Sequence, residues 1–242
     1  MRISFVIPFH NEERNVRPML DQVSTYARSQ KWEYEIIPVN DRSTDNTQRV
    51  LGEYAKKDKR IKPLERKHDR EALGNTMGLS LKIGTNKASG DIVIWTMGDR
   101  SDDSTTYGHI VTKIIEGYDM VFGSRYMSGG SRGSLDAIKA FLSSNGTKLA
   151  QLFFGVPVHD ITNAFRGFRK EVFQRIVIES NDFAISPEFA VKAHLAGFRL
   201  GEVPTIYTRR FEGASSFKII KMSLAYIVVY FRCLLRLTPI TK

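Results

Sequence analysis

Cysteine is nearly missing from this sequence: Cys233 is the only one in 242 residues. No internal disulfide can form, and no Cys/His spacing suited to a metal exists. A lone thiol fits a reducing compartment. Long hydrophobic runs are missing too. No stretch reaches the roughly 18 apolar residues that span a bilayer. At the N-terminus, MRISFVIPFHNEE is cut short by Pro8 and the polar residues that follow, which is not a signal-peptide pattern. A cytoplasmic chain is expected, with any membrane attachment peripheral, on the cytoplasmic face. Repeats and low-complexity tracts are absent, and LGNTMG lacks the Gly-Lys-Ser/Thr ending of a phosphate loop. Negative charge is in short supply: 26 Asp and Glu face 36 Lys and Arg, a net charge of +10. Such a surface favours a phosphorylated small molecule, an anionic membrane leaflet or nucleic acid. Aromatic residues do not interleave with the basic ones, and acidic turns would repel nucleic acid phosphates, so an RNA-binding domain is the disfavoured reading.

What is present is enough for a core. Apolar residues are 42% and charged residues 26% of the chain, a globular composition. Short apolar runs alternate with helical patterns. Ile3 to Ile7 reads as a buried strand, and Glu12 to Ser29 as a helix with Val16, Met19, Leu20, Val23 and Ala27 on one face. Glu35 to Val39 predicts a second strand, and NDRSTDNT a turn in which Ser43, Thr44 or Asp45 caps a helix from about Asn46 to Lys56. A weak strand at Ile61 to Leu64, a helix at Leu73 to Ile83, a strand at Asp91 to Thr96, a helix at Ser104 to Glu116 and a strand at Met120 to Phe122 continue the pattern. Beyond it, Leu135 to Phe154 reads as a helix, and DITNAFRGFRKEVF as a polar turn leading into a helix. Ser186 to Leu195 reads as a helix capped by Ser186, and Arg199 to Thr208 as a strand. Strand and helix in alternation predict an α/β fold: a mainly parallel, Rossmann-like sheet flanked by helices, as a single domain. Residues 1–220 form the expected α/β unit and 221–242 a C-terminal apolar and basic helix. Within it, MSLAYIVVYF has ten uncharged residues, about 15 Å of helix or roughly half a hydrocarbon core. Basic residues flank it, which suits a membrane-interfacial helix; a core-packing helix is the alternative.

Sites in such sheets form beyond the carboxyl ends of the strands. Two acidic turns lie there, Asn40-Asp41 and TMGDRSDDS. Asp41 can accept a hydrogen bond from a base N–H. Asp99 can join other oxygen ligands and water around a divalent cation, with Asp103 as a second carboxylate. Opposing the dipole at a helix start is the expected role of Asp102 and the equal alternative for Asp103.

Taken in order, FVIPFHNEE, VNDRSTDNT, MGDRSDD, GSRYMSGG, DITNAFRGFRKEVF, SPEFAVKAHLAGFRLGEVP and GASSFK resemble the motifs of glycosyltransferase family 2, the inverting enzymes of GT-A fold that include dolichol-phosphate mannose synthases. The resemblance covers nearly the whole chain. It implies transfer of a sugar from a nucleotide-sugar, GDP-mannose or a UDP-hexose, to a polyprenyl phosphate, with Mg²⁺ or Mn²⁺. It implies nucleotide-binding roles for Pro8, Asn11, Glu12, Asp41 and Arg70, and a metal at Asp99. Arg125, Arg166, Arg209 and Lys218 would receive the acceptor phosphate, and Glu188 would stand near the acceptor. A glycan or other hydroxyl acceptor is the alternative. The chain departs from the family pattern at Met97, Asn40 and Ala164, where Asp, Asp and Gly are usual. The family lysine directly follows Ser215, but Ser216 stands there and Lys218 comes two residues later. A catalytically silent relative is therefore a further reading.

Overall fold

A computed structural model describes residues 1–66, 76–208 and 219–242. Strands β1 (Arg2–Phe9), β2 (Glu33–Asp41), β3 (Leu64–Arg66), β4 (Ile92–Trp95), β5 (Met120–Ser124), β6 (Arg166–Arg169) and β7 (Leu200–Pro204) form one sheet in the order β3-β2-β1-β4-β6-β5-β7. Every pairing is parallel except those of β6, which runs antiparallel between β4 and β5. The helices are α1 (Glu13–Ser29), α2 (Thr47–Lys57), α3 (Met77–Lys87), α4 (Thr106–Ile115), α5 (Ala137–Phe154), α6 (Lys170–Arg175), α7 (Ile185–Leu195) and α8 (Ile219–Leu234).

Alternation along the central strands divides the core in two. Ile3, Phe5 and Ile7 of β1 point to one face, where they pack with Val16, Leu20 and Val23 of α1 and with Tyr107 and Ile110 of α4. Val6, Ile37, Val39, Val93 and Trp95 point to the other, with Leu81 of α3, Phe189 of α7 and Tyr230 of α8. Helix α8 thus belongs to the core by one side, with Tyr226, Tyr230 and Cys233 buried. The expected α/β architecture with a mainly parallel sheet is what forms.

Several local details differ from expectation. The stretch expected to turn directly into a helix at DITNAFRGFRKEVF first forms β6, whose Gly167 lies against Ile110 and has no room for a side chain. Ser186 does not cap α7. It lies inside the first turn, while the Asp182 carboxylate accepts from the Ala184 N–H at 2.9 Å. Helix α2, by contrast, starts within a residue of its expected place, and Asp45, one of the three expected capping residues, takes the Thr47 N–H at 2.9 Å. The last strand is shorter than expected, ending at Pro204. Of the helix expected at Leu73 to Ile83, the described part starts at Met77 and runs on to Lys87; Leu73 to Asn75 lie outside the described residues.

Candidate active site at the carboxyl edge of the sheet

Strands β2, β1 and β4 are neighbours, so Asp41 at the end of β2 and the turn after β4 share one edge, with the end of β1 between them. Asp41 is register partner to Arg66 of β3, and the two form a buried ion pair, Nη1 to Oδ1 at 2.5 Å. Arg42 Nε approaches the same oxygen at 3.2 Å, and the Thr76 hydroxyl donates to Oδ2 at 2.7 Å. Asn11 adopts a left-handed φ of 55° and accepts from the Thr44 N–H at 2.7 Å, which fixes the turn after β2. Glu12 precedes α1 and accepts from Asn15, while its own N–H donates to Thr47 at 3.0 Å. Pro8, Asn11, Glu12 and Asp41 are therefore brought together. Arg66 and Thr76, which hold the carboxylate, carry no signal of that role in the sequence. Arg70 lies outside the described residues.

The turn after β4 sits directly on the end of β1. A Cβ on Gly98 would come within 2.6 Å of the Phe9 ring and 2.8 Å of the Pro8 carbonyl, so only glycine fits unaltered. Asp99 accepts from the Ser101 N–H at 3.1 Å and the Ser101 hydroxyl at 2.7 Å. Asp102 does not stand at a helix start as expected. It is buried beneath the turn and accepts from the Met97 N–H at 2.8 Å and the Thr96 hydroxyl at 3.0 Å. Burial raises its pKa to about 7, with the nearby Asp99 charge adding to the rise and the Met97 N–H, Thr96 and Arg125 opposing it. Asp103 is the residue that serves the helix start: its Oδ1 takes the Thr105 N–H at 2.9 Å, and both its oxygens take the Thr105 hydroxyl at 2.8 Å. Among the described residues no group of three His, Cys, Asp or Glu is placed to hold a metal. Met97 packs against the core, as an apolar residue in place of a carboxylate would.

Strand β5 ends at Ser124 and delivers Arg125, whose charge is felt at Asp102. The Arg125 guanidinium is bidentate to the fully buried Asp160, Nε to Oδ2 at 2.7 Å and Nη2 to Oδ1 at 2.9 Å. Its own N–H joins the same carboxylate at 3.1 Å. Burial works against the charge, but Asp160 outweighs it and raises the Arg125 pKa. Nη1 has no hydrogen-bond partner among the described residues. Asp160 opens the stretch DITNAFRGF, and that position was the available sequence signal for its role.

Arg166 and Glu188 are both buried. Arg166 is 0% exposed, lies over the Phe122 ring and donates to the carbonyls of Ser186, Ile161 and Asn163. Burial lowers its pKa to about 9. Glu188 is enclosed: its oxygens take the N–H groups of Glu179 and Ser180, and it is paired with buried Lys192 at 2.7 Å. Both hold the frame together from inside. Arg209 and Lys218 lie outside the described residues.

Helices α5 and α8 pack together, with the Tyr230 hydroxyl donating to the Gly146 carbonyl at 2.9 Å. Their outward sides are apolar: Phe141 is 67% and Leu152 76% exposed, and Leu224, Ile227 and Phe231 each exceed half. Lys148 and Arg236 are exposed near them. No helix among the described residues is long and apolar enough to cross a membrane.

Comparison with known proteins gives a consistent picture. The profile of the family described as Glycosyl transferase family 2 matches residues 4–177. The chain is 25% identical over 217 residues to a polyprenol monophosphomannose synthase of Mycolicibacterium smegmatis, covering 88% of the chain and 80% of that protein. It is 26% identical over 224 residues to a dolichol-phosphate mannosyltransferase of Pyrococcus furiosus, covering 90% of the chain but 60% of that protein. Among solved structures, mannosyl-3-phosphoglycerate synthase of Rubrobacter xylanophilus superposes with a TM-score of 0.72 at 16% identity, covering 98% of this chain and 74% of that one. Glucosyl-3-phosphoglycerate synthase of Mycobacterium tuberculosis, in complex with Mn²⁺ and UDP-glucose, gives 0.71 at 12% identity, covering 96% and 78%. At these identities the structures speak to the fold.

Proposed function

The chain belongs to glycosyl transferase family 2 and is a glycosyltransferase, and from that premise we propose that it moves a hexose from a nucleotide diphosphate-sugar to a polyprenyl phosphate with inversion. Two of its curated relatives bear names that specify a polyprenol or dolichol phosphate acceptor. The observation that carries the acceptor assignment is Arg125: a guanidinium clamped by Asp160 on two nitrogens, with Nη1 unengaged, within electrostatic reach of the Asp99 turn. A rigid, always-charged donor suits a phosphate oxygen. A hydroxyl acceptor would require a carboxylate base. Glu188, the carboxylate expected there, is enclosed by its own loop and Lys192. A lipid phosphate is already anionic and needs no base.

On this reading the Asp41 corner holds the nucleoside, with Arg66 and Thr76 fixing the carboxylate. Asp99 would hold a Mg²⁺ or Mn²⁺ ion together with diphosphate oxygens. The donor set fits that minimal mode, since such ions commonly use one or two protein carboxylates beside substrate phosphates. The ion, when bound, neutralises the charge gathering on the leaving diphosphate. Arg125 orients the incoming phosphate opposite that leaving group, so that attack is in line. The apolar sides of α5 and α8, with Lys148 and Arg236 beside them, suit peripheral docking on an anionic bilayer, where a polyprenyl chain resides.

Incubating the purified chain with labelled GDP-mannose or UDP-glucose, Mn²⁺ and a short polyprenyl phosphate tests the proposal. Label extracted into chloroform is expected. Label appearing only on a soluble glycan would overturn the acceptor assignment.

A further inference from the structure

The acidic turn has an unusual support. Strand β4 stops at Trp95, and the chain reverses between Met97 and Arg100, whose left-handed φ of 61° is closed by its N–H donating to the Met97 carbonyl at 3.3 Å. Asp99 sits in that reversal. Three contacts hold it from below and behind. The Thr96 N–H donates to the Val6 carbonyl of β1 at 3.3 Å. Gly98 is seated on Pro8 and Phe9. The third is Asp102, 7% exposed, whose single oxygen Oδ2 accepts from both the Met97 N–H and the Thr96 hydroxyl. The Thr96 hydroxyl also meets the Tyr107 hydroxyl of α4 at 3.1 Å, which extends the support into the helix layer.

We propose that Asp102 is a positioning residue for the donor: its Oδ2 fixes the Thr96–Met97 backbone and thereby sets where Asp99 presents its carboxylate. The proposal rests on the donor-binding reading above. The chemistry makes a sharp distinction. Both bonds converge on one acceptor oxygen, so an amide oxygen at the same place would keep both. A direct metal ligand would need the charge instead. Removing the oxygen takes the acceptor from the part-buried Met97 N–H and leaves the Thr96 hydroxyl only Tyr107 as a partner, and the turn is then free to shift.

The test uses the full chain with Asp102→Asn, Asp102→Ala and Thr96→Val, read in two ways. The first is amide exchange at Met97 and Arg100 without ligand. Asp102→Asn is expected to keep wild-type protection, Asp102→Ala to exchange at least about tenfold faster at both sites, and Thr96→Val to fall between them. The second is calorimetric titration of UDP and GDP with Mn²⁺. Asp102→Asn is expected within about threefold of wild type, with Asp102→Ala weaker by about tenfold or more. If Asp102→Asn loses as much nucleotide affinity as Asp102→Ala, the charge is what matters and the positioning role is refuted. Unchanged exchange in Asp102→Ala refutes it as well, whatever the nucleotide result. If Asp102→Ala does not fold, Asp102→Asn and Thr96→Val decide between the same outcomes. Absence of nucleotide binding in the wild type would sink the donor reading, while the exchange data would still judge the role of Asp102 in the turn.

Discussion

Replacing Asp160 with alanine should be the most damaging single change near the site that touches no substrate. Asp160 is fully buried and receives two guanidinium nitrogens and the backbone N–H of Arg125, at 2.7, 2.9 and 3.1 Å. It also takes the Thr162 hydroxyl at 3.2 Å and the Asn163 N–H at 3.3 Å. Without it the Arg125 charge is left in a site that is nearly dry, with nothing to offset its desolvation. Removing one partner of such a pair costs about 3–5 kcal/mol. For a chain of this size each kcal/mol lowers the melting temperature by roughly 2–4 °C, so a fall of about 6–20 °C is expected by calorimetry or circular dichroism. Replacing both residues, Arg125→Met with Asp160→Leu, removes charge and countercharge together. The double variant should recover most of the lost stability yet transfer no sugar, because the guanidinium proposed to receive the acceptor phosphate is gone. A cost below about 1 kcal/mol for Asp160→Ala, or a double variant no more stable than the single, would refute the claim that this is a tightly coupled buried pair.

Glu35 gives the fold an acid-sensitive component. It is fully buried, and burial pushes its pKa up, but Lys62, the Ser89 N–H and the hydroxyls of Ser4 and Ser89 outweigh that and lower it from 4.5 to about 2. The ionised form is favoured in the fold, so its contribution of roughly 3 kcal/mol is complete above pH 4.5 and lost as pH falls through about 2. Urea midpoints measured from pH 5 to pH 2 should fall less steeply in Glu35→Gln than in the wild type; parallel curves would contradict the assignment. Gly98→Ala should cost about 1–3 kcal/mol through overpacking against Phe9 and Pro8, and should weaken Mn²⁺-dependent nucleotide binding. Unchanged stability and affinity would show that the turn has slack. Flotation with anionic phosphatidylserine-containing vesicles should carry the protein upward, and Leu152→Glu with Ile227→Glu should abolish it; binding indifferent to both changes would exclude the α5–α8 face.

The first half of the fold was legible because its strands are buried on both faces. Ile3 to Ile7 and Glu35 to Val39 stand out as apolar runs, each followed by a one-sided helical pattern, and that alternation fixes Asp41 and Asp99 at one edge. Strand β6 was not legible. Its sequence, RGFR, carries two arginines in four residues. It pairs in the sheet because Arg166 finds three carbonyls and an aromatic ring that come from residues 161–186 and from β5. Whether a charged side chain points inward depends on such partners. Asp160 lies 35 positions from Arg125, and its place at the head of DITNAFRGF marks the residue but does not name its partner. Glu188 fits the spacing of a family motif, yet its oxygens are taken by the Glu179 and Ser180 N–H groups and by Lys192. Asp102 and Asp103 are adjacent in sequence, and only the path of the turn sends one inward and the other to the start of α4.

Calorimetric titration of GDP-mannose and UDP-glucose into the wild type and Asp99→Asn, each with Mn²⁺ and with EDTA, tests most directly whether this sheet edge grips a diphosphate through a divalent ion. The wild type should bind one of the two donors, with affinity that depends on Mn²⁺, and Asp99→Asn should lose that dependence while retaining its melting temperature. Binding to Asp99→Asn that is as tight and as Mn²⁺-dependent as in the wild type would contradict it.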